Sequence, residues 1–150
     1  MPMNTNNNFF RELIVEDEYM NAWSLANAIK PHFEVRHAAT VDEALYWLRR
    51  EQFSFVMMDI RLGHDSQAGF RLLQDVKIQQ PEAYVFATTG MGSGKDESVF
   101  LEAGFDAFYP KPIEEMEVLA EMLRLQNQKK VAWTHKKTRP IDRVLLFIQE

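Results

Sequence analysis

Cysteine is missing altogether from the 150 residues, so neither a disulfide nor a thiolate metal site can be built, and the composition fits a reducing compartment. No apolar run approaches the roughly 20 residues that a membrane-spanning helix needs. The first ten residues, MPMNTNNNFF, lack a basic segment followed by an apolar one and do not read as a signal peptide. Basic side chains are scarce over most of the chain: positions 1–125 hold 11 against 20 acidic ones, a balance of −9. Positions 126–150 reverse this, with six basic and two acidic, a balance of +4. An acidic body with a short basic tail leaves no footprint for nucleic acid over its main part. The tail is also too short for a helix-turn-helix with its own core. These absences point to a soluble, cytoplasmic protein with neither a membrane nor a nucleic-acid partner.

What is present is enough apolar material for one domain: 46% of residues are hydrophobic and 12% aromatic. Short apolar runs alternate with helix-like stretches. ELIVE (12–16), FEVRHAA (33–39), FSFVMMD (53–59), AYVFATT (83–89) and FDAFYP (105–110) read as strands. Helices are expected at 19–30, after the cap Thr40 with Glu43 as its capping-box partner, at 70–79, 97–103 and 113–125. Trp23 and Trp47 fall on apolar helical faces and read as core. Five strand–helix repeats imply βαβ crossovers and a five-stranded parallel sheet with helices on both faces, a doubly wound α/β fold.

In such sheets ligands sit at the carboxyl ends of the strands. Those ends carry Glu16 and Asp17, Asp59, Thr88 and Thr89, and Lys111. Converging carboxylates repel unless a cation or proton intervenes, and an oxygen-seeking ion such as Mg2+ suits this set. A lysine and a hydroxyl opposite supply the charge and the donor that a phosphoryl group wants. Such a site can make Asp59 a carboxylate nucleophile that becomes an aspartyl phosphate.

LIVEDE (13–18), MMDIRL (57–62), TTG (88–90), EAGFDAF (102–108) and YPKPI (109–113), in this order and spacing, resemble the receiver domain of two-component response regulators. The resemblance covers about residues 11–125. It leaves 1–10 as a disordered N-terminal segment and 126–150 as a basic, partly helical tail. It implies the flavodoxin-like receiver fold and a role for each matching residue. Asp59 would accept a phosphoryl group from a histidine kinase or histidine phosphotransfer protein. Asp17, Glu16, Asp59 and the backbone carbonyl of Arg61 would hold Mg2+. Thr89 would be the switch hydroxyl, Phe108 the aromatic that changes rotamer with it, and Lys111 the partner of the phosphoryl group, before a cis bond to Pro112. The protein would act as an enzyme only in phosphorylating and dephosphorylating its own aspartate. A downstream protein, or a second copy, would read a surface around the fourth helix, fifth strand and fifth helix, or the tail.

Each feature also has a plainer reading. Asp59 alone could be a cap, Glu16 to Glu18 a solvated charge run, Lys111 a surface lysine; only their joint placement favours chemistry. GMGSGKD (90–96) resembles a phosphate-binding loop, but both anchor positions fail, with Thr89 where glycine is needed and Asp96 after Lys95. The four histidines show no ligand spacing, although His64 lies near enough to Asp59 to meet a phosphodonor. The sequence departs from the family after Asp59: Gly63 stands where a proline is frequent, and the loop HDSQAG (64–69) is about two residues longer than usual. Two rivals remain in view: a docking module that never takes phosphate, and an aspartyl-phosphate phosphatase. The second wants an acid two residues past the nucleophile, where Arg61 stands.

Overall fold

The computed structural model describes residues 10–90 and 97–137. Along the chain run β1 (Arg11–Val15), α1 (Tyr19–Ile29), β2 (Glu34–Ala38), α2 (Val41–Arg50), β3 (Phe55–Asp59), α3 (Ala68–Gln79), β4 (Tyr84–Thr89), α4 (Glu97–Ala103), β5 (Ala107–Pro110) and α5 (Glu115–Lys137). The strands form one parallel sheet in the order β2-β1-β3-β4-β5. The chain forms two compact units, residues 1–115 and 116–150.

Within the first unit, strand alternation decides which helix covers which face. Leu13, Val15, Val56, Met58, Val85 and Ala87 turn to one side, where they join Ala44 and Leu48 of α2, Leu72, Leu73 and Val76 of α3 and Phe100 of α4. Ile14, Phe55, Met57 and Phe86 are buried on the other side, and α1 packs on β1 and β2 with Ala22, Leu25 and Ile29 buried. β3 is buried along its whole length, as a central strand covered on both faces must be.

Local chemistry explains the boundaries. Thr40 caps α2 by accepting from the Glu43 N–H at 3.1 Å, while the Glu43 carboxylate reaches back to the Ala39 N–H rather than to that of Thr40. Buried Gln80, just past α3, accepts from the Phe53 N–H and donates to the Leu48 and Glu51 carbonyls. It thereby satisfies the backbone between α2 and β3. Asp106 accepts from the Val85 N–H through its carboxylate and donates its own N–H to the Val85 carbonyl, seating β5 beside β4.

Two expectations need correction. Trp23 is 51% exposed, because α1 buries Ala22, Leu25 and Ile29 and Trp23 stands outside that stripe, although Trp47 is half-buried against the core. The last helix continues to Lys137 instead of ending near residue 125, because Gln126 to Lys130 include good helix formers that need no apolar stripe. In α5 the buried residues Val118, Leu119, Met122 and Leu125 recur at helical spacing. Of the segment 1–10 expected to be disordered, Phe10 is described and its carbonyl accepts from the Glu34 N–H at 3.1 Å, whereas residues 1–9, most of the glycine-rich stretch 90–96 and the tail beyond Lys137 lie outside the described residues.

Candidate functional site

The order in which the chain lays down its strands reverses between β1 and β3, which lie side by side and parallel with their crossovers leading to opposite edges. Their carboxyl ends therefore open a crevice. Glu16 follows the last residue of β1, Asp59 ends β3, and Lys111 follows β5 by one residue. Glu16 and Asp59 are 5% and 6% exposed. The Lys111 Nζ donates to Asp59 Oδ2 at 2.6 Å and to both Glu16 carboxylate oxygens at 2.9 and 3.0 Å. Its backbone N–H bonds the Thr89 carbonyl at 2.8 Å, and its bond to Pro112 is cis. One ammonium thus holds two buried carboxylates that would otherwise repel.

The second oxygen of Asp59, Oδ1, accepts from the Arg61 N–H at 3.1 Å, and Asp17, exposed at the rim, accepts from the Gly63 N–H at 2.9 Å. One oxygen from each of Glu16, Asp17 and Asp59 lies within 4.8 Å of the others. Three hard oxygen donors so close are the donor chemistry that Mg2+ takes, with waters completing the shell. Burial, and then the nearness of Asp59, raise the Glu16 carboxyl to a pKa of about 7, against the opposing pull of Lys111 and Asn21. Burial alone would lower the Lys111 pKa, but the bonds to Asp59 and Glu16 outweigh it and the net shift is upward. The lysine stays charged.

β4 supplies the hydroxyls. Thr88 is in register with Asp59 and lines a small cleft with Glu16 and Asn21, whereas Thr89 ends the strand. By alternation Thr89 turns to the same side as Ala87, whose register partner on β5 is Phe108. Phe108 lies flat on Phe100 of α4, ring centres 4.5 Å apart and planes at 2°; Phe100 stacks in turn on Phe70 of α3 at 5.7 Å and 7°. His64 is exposed in the loop after Asp59.

That loop explains the departure from proline. Leu62 and Asp65 exchange backbone hydrogen bonds of 3.0 Å around a tight turn, and Gly63 within it has φ of +60°. Proline is locked near −65° and cannot stand there. The turn aims the Gly63 N–H at Asp17.

Three supporting residues escape a reading of the strand ends. Asn21 of α1 donates to Glu16 at 3.1 Å and to Glu18 at 2.7 Å. An amide five residues past an acid could have suggested it. Gly69, near the start of α3, presses on the acceptor's own backbone: a Cβ there would stand 2.7 Å from Ile60 Cα and 2.9 Å from the Asp59 carbonyl oxygen. His37 bonds the Glu16 carbonyl across 21 positions, and no spacing rule announces that.

Residues 13–124 match the family model of the response regulator receiver domain. The chain belongs to that family. Receiver domains act in two-component signalling, where they are phosphorylated on aspartate by histidine kinases or phosphotransfer proteins, and they typically bind Mg2+ at an acidic pocket. Among solved structures, a CheY-like receiver domain protein from Methanospirillum hungatei is 29% identical. The match covers 81% of this chain and 98% of that one, with a TM-score of 0.71. NtrX from Brucella abortus is 25% identical with a TM-score of 0.74; the match covers 86% of this chain but 29% of that far longer protein. The BeF3-activated DrrB receiver domain, 21% identical, shares the fold with a TM-score of 0.70 over 79% of this chain and 98% of its own. Among the described residues of this receiver domain, no helix is long and apolar enough to cross a membrane.

Proposed function

We propose that Asp59 takes a phosphoryl group from a phosphohistidine on a histidine kinase or phosphotransfer protein, and that the new charge biases a surface read by a partner. The observation that carries this is the 2.6 Å contact of Lys111 with Asp59 beside the acidic pair. An Asp59 carboxylate oxygen attacks phosphorus, the P–O bond forms as the donor's P–N bond breaks, and the imidazole of the donor keeps the electron pair. Lys111 is placed to pass from the carboxylates to the incoming phosphoryl oxygens. The Arg61 N–H orients the attacking group by holding its other oxygen. Glu16, Asp17, Asp59 and the Arg61 backbone carbonyl would hold Mg2+, which when bound neutralises charge on the transferring phosphoryl group.

Thr89 then donates its hydroxyl to a phosphoryl oxygen and draws the end of β4 with it, and Phe108 changes rotamer as its neighbour moves. The surface around α4 and β5 is the one we expect a downstream protein, or a second copy of the chain, to read. We further propose that residues 11–125 constitute the receiver and that 126–150 serve docking or dimerisation.

The test is intact mass after incubation with Mg2+ and acetyl phosphate. One added phosphoryl group is expected on the parent and none on Asp59→Asn or without Mg2+. No addition, with this donor or with phosphohistidine donors, would leave a docking module that never takes phosphate as the better reading.

A further inference from the structure

The parallel ladder between β1 and β2 ends one bond beyond Val15: the Glu16 N–H donates to the Ala38 carbonyl at 2.9 Å. The next acceptor on that side is the Glu16 carbonyl, and β2 has no backbone donor left for it, because the chain turns into α2 at Thr40. His37 fills the gap with its side chain, the ring Nε2 lying 2.7 Å from the Glu16 carbonyl oxygen. A carbonyl only accepts, so the ring carries its proton on Nε2 and donates. The ring is itself placed. The His37 carbonyl accepts from the Trp47 indole N–H at 3.2 Å, and Tyr19, first residue of α1, sets its ring edge-on to the imidazole at 6.5 Å.

The carbonyl that His37 holds belongs to the peptide joining Glu16 to Asp17. Fixing that plane fixes where Asp17 leaves the sheet and how the two acids diverge around the 4.8 Å cluster. We propose that His37 is a positioning residue for the acidic pair, a side-chain rung that extends the ladder to the peptide between two metal-holding residues. This rests on the reading of Glu16 and Asp17 as holders of a divalent cation. Outer partners of metal-holding groups typically change affinity by ~10-fold or more when removed.

The measurement is Mn2+ binding by the full chain, followed through the electron paramagnetic resonance of the free ion, on the parent, His37→Leu and His37→Gln. Thermal unfolding in EDTA is recorded for each. Leucine removes the donor, and binding should weaken ~10-fold. Glutamine keeps an N–H at similar reach and should return most of the affinity, with both variants melting alike in EDTA. Parent-like binding by His37→Leu overturns the role, as does equal weakening by both substitutions, which would make packing the cause. A parent that takes up no Mn2+ overturns the metal reading and this role with it. Should His37→Leu fail to fold, nitrogen NMR of the parent decides. A proton on Nδ1, with a bare Nε2 facing the carbonyl, overturns the proposal; a protected Nε2–H supports it.

Discussion

Lys111 is the only cation that the described contacts place between Glu16 and Asp59, and losing one partner of a buried pair is costly because the remaining charges stay behind. Lys111→Ala should therefore lower metal-free stability by roughly 3 kcal/mol. Added Mg2+ should raise the melting temperature of this variant more than that of the parent, since the ion then supplies the missing charge. Equal gains would show that the acids are not what Lys111 restrains. A different acid, Glu12 of β1, is fully buried, and neither of its oxygens has a hydrogen-bond partner among the described residues. Burial holds its carboxyl well above the usual range. The folded protein keeps this proton while the unfolded chain releases it above the ordinary carboxylate pKa, so Glu12 destabilises the fold increasingly as pH rises beyond that point, until its folded-state pKa is reached. Glu12→Leu should stabilise the protein more at pH 8 than at pH 5, as urea unfolding at both would show.

Among the elements, α3 sits where an added methyl group has nowhere to go. Gly69→Ala would place a Cβ 2.7 Å from Ile60 Cα, and that neighbour is backbone. The first turn of α3 must then lift, at about 1–3 kcal/mol for overpacking. Because Ile60 follows the acceptor directly, phosphoryl uptake should slow as well; an unchanged rate in a destabilised variant would show that α3 does not register Asp59. The same element shows how far sequence reading reaches. β3 was legible because Phe55 to Met58 are apolar without alternation and an acid follows at once, a pattern only a doubly covered strand explains. The gathering of Glu16, Asp59 and Lys111 was legible because each ends a strand or follows one closely. Gly69, by contrast, owes its identity to a backbone 2.7 Å away, and His37 to a carbonyl made bare by the turn into α2. Trp23 was not legible because α1 carries apolar side chains on more than one side, and periodicity does not say which stripe is buried.

Across the whole molecule, every residue of the acidic crevice lies between Glu16 and Lys111, and the family match closes at residue 124. A chain ending at Lys137 should therefore take up phosphoryl from acetyl phosphate at the parent's rate. A slower rate would bring the last 13 residues into the chemistry. A column of rings runs through the first unit from Phe108 through Phe100 to Phe70 and joins β5, α4 and α3. If Phe108 swings away on phosphorylation, it leaves the face of Phe100 without a companion of matching shape. Unphosphorylated chains would then rarely visit the signalling conformation by chance, and a cell would hear little from this protein until a donor had spoken.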